Sequence, residues 1–401
     1  MGKTALVIGG GFAGLEAAIR LSKTDLDVTL VSDRPFLWMY PTSIWVATGE
    51  VAPEDACLDL GSVARRHGFK FREGRVESVR GAARAVRIDG EEVRADYVLI
   101  GIGGGRMAAE GIEHTHTISG APGSTEAFRD ALEALLDKRS GRIAMGFGGN
   151  PKDPSAVRGG PGFELMFNVD TMLRRRGVRD NFELTFFAPM PSPGARMGKK
   201  AVEAVEQMFR KLGIQTRYGQ KITGFAQGGA VLFEDGSRLE SDLTMFIPAV
   251  DGHPIIKASD LPRNDAGFVE IDETCAVKGV DGIYAIGDAA AIDGPPWRAK
   301  QGHLAEVMAR VAASNIAAIE NGSPKRESYL RNMSIICLMD MGNGAAFVQR
   351  DDASETMIPL PIIGHWAKKA WGVFYKSSKM RTLPGFPGMA RPADSRTSQT
   401  A

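Results

Sequence analysis

The chain has 401 residues, a formal net charge of +1 and 43% apolar residues. A chain of this length exceeds one hydrophobic core and is expected to divide into two or three domains, while the balanced charge removes the electrostatic basis for a nucleic-acid partner. No apolar run approaches a membrane span, the first strand begins too early for a signal peptide, and neither the 3 cysteines nor the 6 histidines cluster, so a cytoplasmic protein without metal is expected.

Residues 4–8 (TALVI) read as a buried strand that runs through Gly9-Gly10-Gly11-Phe12-Ala13-Gly14 into a helical pattern without a gap. This is the G-x-G-x-x-G spacing in a strand–turn–helix setting. Gly9 allows the tight turn, and Gly11, with Phe12 and Ala13 behind it, lets backbone approach a pyrophosphate. Gly14 lets helix and strand pack closely, and the helix N-terminus faces the anion. A second strand over 27–33 ends at Ser32 and Asp33, from where a dinucleotide fold holds an adenosine ribose; the alternative for Asp33 is a cap on the turn before Pro35. The aromatic segment 36–45, with Pro41 inside it, suits a wall beside a flat ring system, the alternative being a core loop.

Residues 69–100 alternate between short strands and turns, with a hairpin at Asp89-Gly90 and Val76 as a further candidate cofactor contact. They end in a buried strand that reaches glycines at Gly103, where backbone meets cofactor. A helix over 124–138 leads to a strand over 142–149, which opens a second core. Its turn is interrupted, because residues 150–158 intervene before Gly159-Gly160-Pro161-Gly162-Phe163-Glu164 starts a helix that runs to about Arg176. The insertion removes the short loop that cradles a pyrophosphate. The next strand ends in Pro189-Met190-Pro191, with neither an acid for a nicotinamide ribose nor an arginine for its 2′-phosphate. Both features count against NAD(P)H; the alternative is a nicotinamide docked unconventionally.

Residues 282–290 form a strand ending in Gly287-Asp288, ahead of a long helix from about Lys300 to Asn321. An acid in that place accepts hydrogen bonds from a ribityl hydroxyl, the alternative being a helix cap. Residues 361–381 carry Ile362, Ile363, Trp366, Ala370, Trp371, Val373 and Phe374 at spacings of mostly three or four, flanked by His365, Lys368, Lys369, Lys376, Lys379 and Arg381. This is the pattern of an interfacial helix on an anionic membrane surface; a core or dimer-packing helix with a solvated basic face is the alternative. The polar tail from Pro392 is expected to be disordered.

In this order, Gly9 to Gly14, the Gly103 strand end and residues 283–288 resemble the three FAD-contact regions of two-dinucleotide-fold flavoproteins. Within that group the chain resembles the sulfide:quinone oxidoreductase and flavocytochrome c sulfide dehydrogenase family over nearly its whole length. The likeness is carried by the wall at 36–45, the split turn ending at Glu164, the 299–302 segment, and residues 336–342 with 366–375 behind them. The resemblance implies an α/β fold of two Rossmann-like dinucleotide-binding domains with a C-terminal amphipathic helical region. The FAD domain would be discontinuous, 1–116 and 251–330, the second domain 117–250, and the quinone- and membrane-facing region 331–391, with the tail 392–401 outside it. FAD contacts would come from Gly9, Gly11, Phe12, Ala13, Gly14, Ser32, Asp33, Pro41, Val76, Gly103, Gly287, Asp288 and Lys300.

The family takes sulfur from sulfide with paired cysteines beside the flavin. Cys337 matches one of them, but Arg158 stands where its partner belongs, and the third family cysteine, near Ile118-Ser119, is missing as well. Met39 stands at or near the residue through which flavocytochrome members attach FAD covalently, so noncovalent FAD is expected. A lone Cys337 is either a thiolate with its pKa lowered by flavin and cation or a small buried hydrophobe. Arg158 suits an anionic substrate or reduced flavin; the alternative is a solvent-facing loop residue. Lys300 is placed to protonate or polarise a quinone oxygen, the alternative being a helix-start lysine facing water. The expected function is an FAD-dependent oxidoreductase that passes electrons from a small sulfur-containing or anionic donor to a membrane quinone, peripheral on the inner face of the cytoplasmic membrane. The rivals are an NAD(P)H:quinone oxidoreductase of the type II kind and a flavin-binding protein without turnover. Assembly into a homo-oligomer stays open.

Overall fold

The fold was obtained as a computed structural model and is described here for residues 2–382, so the tail expected from Pro392 lies outside the described residues. The Val/Ile/Leu-rich segment Thr4–Ile8 is buried almost throughout and sits at the centre of a five-stranded parallel sheet. It bonds to Asp27–Ser32 on one side and Tyr97–Ile100 on the other, with Lys70–Glu73 and Ile283–Ala285 at the edges. Side chains this uniformly apolar belong to a sheet covered on both faces. The helices Phe12–Leu21 and Gly302–Glu320 pack against each other, and their apolar residues join the core of this sheet.

A second parallel sheet runs Gln215–Tyr218, Phe182–Ala188, Gly141–Phe147, Leu243–Ile247. Its core is aromatic, with Phe163 and Phe186 stacked at 4.7 Å and Phe209 tilted against both. Each parallel sheet has a three-stranded antiparallel companion. In the first, Ala85–Ile88 and Glu91–Arg94 are joined through Asp89 (φ 51°) and Gly90 (φ 81°), the two left-handed residues of a tight hairpin turn. A third antiparallel sheet, Ile335–Asp340, Gly344–Arg350 and Glu355–Pro361, follows the long helix and leads into the helix Ile363–Lys379.

The segment 36–45 is irregular, a short strand, Phe36–Trp38, a single turn, Tyr40–Thr42, and the start of the helix Ser43–Ala47, and its Trp38, Tyr40 and Pro41 line the cavity described below. One local reading changes, that of the last helix, whose basic residues do not flank an exposed apolar face. His365, Lys368, Gly372 and Tyr375, spaced three and four apart, form the buried stripe, and Lys379 one turn on is nearly as enclosed. The apolar residues lie outside: Ile362, Ile363, Trp366 and Val373 are 63–73% exposed. The inward cations meet carboxylates, so burial of the pairs overrides the usual exposure of charge. Lys369 and Lys376, further out, are also engaged, with Glu50 and the Asp55 carbonyl. The helix therefore presents an apolar ridge rather than a free basic face.

Candidate functional site

A cavity of about 2020 Å³ runs from the first glycine turn past the end of the second core to the C-terminal sheet. Most of the expected site residues line it: Gly9, Gly11, Phe12, Ala13, Ser32, Asp33, Pro41, Val76, Gly103, Arg158, Asp288, Lys300 and Cys337. Gly14 and Gly287 stand behind this lining and act through packing. A Cβ on Gly14 would come within 1.8 Å of the Gly9 carbonyl oxygen, and one on Gly287 (φ +65°) within 3.1 Å of both Ala13 and Ala305. Gly11 has open space where a Cβ would stand, so its backbone is free to meet a ligand. Trp38 Nε1, in a residue of the cavity wall, is buried without a hydrogen-bond partner among the described residues, an unmet donor beside the site. The glycines, the open backbone and the orphaned donor together fit a dinucleotide cofactor.

The charged groups and the thiol of this wall are held by one another and by burial. Arg158 does not point to solvent; it pairs with Asp288 across the cavity, and its guanidinium stands 5.9 Å from the centre of the Tyr40 ring. Burial opposes the charge on Arg158, but Asp288 and Tyr40 hold its pKa above the usual arginine value. The guanidinium thus meets a carboxylate, and the carboxylate a guanidinium. Lys300 is 4% exposed instead of facing water; its Nζ donates to the Ala290 carbonyl and lies 3.9 Å from the Phe268 ring centre. Burial, with Arg158 and Arg298 nearby, brings its pKa down to about 8 against the pull of Asp288 and Asp153. Of the two readings of Cys337, the geometry favours the small buried hydrophobe. Burial, reinforced by Glu164, pushes its thiol up to about 12, so at neutral pH it is a thiol. Cys57 and Cys275 are free, and Cys275 is buried in the first core.

The sequence motifs did not reveal a buried polar cluster behind Cys337. Glu164, at the start of the helix Gly160–Arg175, accepts from Lys368 Nζ and from the Asp340 backbone N–H at 2.9 Å. Burial holds the Glu164 pKa above the usual carboxylate range although Lys368 opposes the shift. The Asp340 carboxylate lies 2.7 Å from His365 Nδ1, and His365 Nε2 is 3.6 Å from Glu50, which is itself bonded to Lys369. Glu164 and Lys368 line the cavity, as do Trp371 and Tyr375 of the same C-terminal helix. The signal was present as the three- and four-residue spacing of 365, 368, 372 and 375, which marks one helix face.

The family model described as pyridine nucleotide-disulphide oxidoreductase matches residues 3–314. The sulfide-quinone reductase of Aquifex aeolicus is 28% identical over 88% of this chain and 84% of its own, and the type II NADH:quinone oxidoreductase Ndh of Mycobacterium tuberculosis is 25% identical over 92% and 83%. Among solved structures, the Aquifex aeolicus sulfide:quinone oxidoreductase superposes with a TM-score of 0.85 at 22% identity, covering 94% of this chain and 92% of that one. NDH2 of Plasmodium falciparum in complex with NADH gives 0.73 at 12% identity, covering 95% and 96%. With a cavity whose glycine turn fits a dinucleotide and a family match over most of the chain, the protein belongs to the pyridine nucleotide-disulphide oxidoreductase family and is an FAD-dependent oxidoreductase.

Proposed function

We propose that the protein passes electrons from a small donor to a membrane quinone, as the names of its relatives suggest for them. The observation that carries this reading is the helix Ile363–Lys379, which has its Trp371 and Tyr375 on the cavity and its Ile363, Trp366 and Val373 exposed as an apolar ridge. A ridge of this kind, continued by Ile362 and Ile358, needs no free cations to settle into a lipid interface, and it sets a lipid-soluble acceptor beside the cavity. Among the described residues no helix is long and apolar enough to cross a membrane.

The residues that would hold FAD are Gly9, Gly11, Phe12 and Ala13 at the pyrophosphate, Ser32, Asp33 and Val76 at the adenosine end, and Pro41, Gly103, Asp288 and Lys300 toward the flavin. Gly14 and Gly287 keep the turn and strand end close-packed. When bound, FAD supplies the two-electron chemistry. The chain's own groups manage charge and protons. Arg158 and Asp288 close the wall with a neutral pair, which fixes both side chains and keeps an uncompensated charge from the cavity. Reduction of a quinone to a quinol takes two electrons and two protons, and Glu164, whose pKa burial raises, stands at the cavity wall where its carboxyl oxygen can relay a proton. Lys368 offsets the carboxylate that remains. Cys337, a protonated thiol with no cysteine partner, contributes shape to this wall.

Anaerobic mixing tests the reading. The expected result is that sulfide or another small anion bleaches the flavin absorbance, that a soluble quinone restores it, and that NADH does neither. Bleaching by NADH alone would move the protein to the type II NADH:quinone oxidoreductases. Failure of a quinone to reoxidise a dithionite-reduced sample would remove the quinone.

A further inference from the structure

Among the described residues, Arg196 is a half-buried cavity-lining cation with no carboxylate in ion-pair distance; Arg75 and Lys221, also unpaired, are exposed. Arg158 is paired with Asp288, and Lys300 is engaged with a carbonyl and an aromatic ring. Among the described residues, the only hydrogen bond of the Arg196 guanidinium donates from Nη1 to the Ser155 carbonyl at 3.3 Å, an oxygen that also accepts from the Lys300 backbone N–H at 3.1 Å. Asp153 is an acid whose charge acts on Arg196, but its Oδ1 already accepts from the Ser155 N–H at 2.9 Å and the Ser155 hydroxyl at 2.6 Å. Burial, with Arg298 nearby, lowers the pKa of Arg196, which means that its charge is poorly solvated.

The loop that carries Arg196 is built to hold it still. Its single turn, Ala195–Met197, lies between Gly194 (φ +86°) and Gly198 (φ +100°), both left-handed. Arg350 Nη1 donates to the carbonyls of Ala195 and Arg196, each at 3.0 Å. Arg350 ends the strand Gly344–Arg350, whose Val348 is the register partner of Cys337, so the C-terminal sheet fixes the loop to the same wall. A preorganised, under-solvated guanidinium facing a cavity is stabilised by a group with two oxygens that matches its fork.

We propose that Arg196 is the anion-recognising residue of this cavity and that its ligand is a small oxyanion, an assignment that rests on the oxidoreductase reading above. Binding alone is assigned, with no covalent step. The test is isothermal titration of the FAD-loaded protein at low ionic strength with inorganic thiosulfate as the probe. The native chain is expected to bind it saturably, Arg196→Gln at least tenfold more weakly, and Arg196→Lys in between, since an ammonium keeps the charge but loses the fork. No saturable binding by the native chain, or equal binding by Arg196→Gln, overturns the proposal. So does Arg196-dependent binding of NADPH without binding of thiosulfate, which would give the guanidinium to a nucleotide phosphate. FAD content and quinone reoxidation after dithionite reduction are measured on the same samples. If both persist in Arg196→Gln, lost thiosulfate binding reports on Arg196, whereas a native sample that quinone does not reoxidise sinks the quinone reading and leaves the anion site to stand or fall by titration.

Discussion

The two parallel cores pass from strand to helix differently. The first does so in three residues, Gly9 to Gly11, between Ile8 and Phe12; the second uses twelve, 148–159, between Phe147 and Gly160. In the short turn, helix and strand backbones meet so closely that a Cβ on Gly14 has no place. In the long one, a Cβ on Gly162 would make ordinary contacts at 3.5 Å with the Phe186 ring. The short turn offers backbone, which suits a pyrophosphate; the long one offers side chains, among them Asn150, Val157 and Arg158, to the same cavity wall. One frame has thus become a cofactor cradle and the other a chemical wall.

Alanine at the two helix glycines breaks this comparison most sharply. Gly14→Ala is expected to abolish FAD retention and to cost about 3 kcal/mol, at the upper end of overpacking penalties, because the atom met is backbone and cannot swing aside. Gly162→Ala is expected to keep FAD and to be neutral or to gain up to about 1 kcal/mol in helix propensity. The ratio of flavin to protein absorbance, with urea unfolding, checks both; a yellow Gly14→Ala protein of native stability contradicts the account.

The helix after the long turn supplies Glu164, whose side chain, like that of Lys368, is nearly fully buried. Lys368→Ala leaves a buried carboxylate alone and is expected to lose about 3–5 kcal/mol, while Lys368→Met combined with Glu164→Gln recovers most of it. Urea midpoints at constant slope measure the difference. In stopped flow, Glu164→Gln is expected to slow quinone reoxidation by about ten- to a hundredfold with flavin reduction unchanged; an equal loss in both half-reactions would make Glu164 merely structural.

What the sequence disclosed follows the same division. The first turn was legible because glycine spacing is dictated by backbone geometry, and the interruption of the second was legible as an insertion. The partners across the cavity were not. Arg158 and Asp288 are 130 positions apart and meet only because Ile283–Ala285 returns to the first sheet. The last helix misled for a physical reason: a lysine or histidine is ordinarily solvated, and only Glu164, Asp340 and Glu50 on other elements make an inward-facing basic stripe favourable. Arg196 was passed over because the residues next to the strand end, rather than the loop beyond them, were searched for an anion partner.

Lys300 gives a pH-dependent test on the wall between the two turns. Its folded pKa of about 8 lies below the ordinary lysine value of 10.5. The unfolded chain therefore binds more protons between these limits, and stability rises with pH across that window. Below about pH 8 the folded chain carries the full cost of protonating a buried amine, roughly 3 kcal/mol. Lys300→Met is expected to be the more stable protein at pH 7, with an advantage that shrinks as the pH passes 8 and vanishes near 10.5. Parallel unfolding curves for the two proteins at constant advantage would show that the amine is not desolvated.

The smallest effect belongs to the residue that the resemblance made most prominent. A redox cysteine needs a thiolate and a partner, and Cys337 has a pKa of about 12 and no second cysteine at the wall, where Arg158 stands instead. Iodoacetamide at pH 7 is expected to leave it largely unmodified in the folded protein, because a thiol five units below its pKa is almost wholly protonated. Cys337→Ala is expected to cost about 1 kcal/mol for the lost packing and to change flavin reduction by no more than about twofold. A large loss of reduction in Cys337→Ala, together with rapid labelling of the native thiol, would mean that the bound cofactor restores the thiolate. The long turn would then have kept the sulfur chemistry with half of its usual equipment.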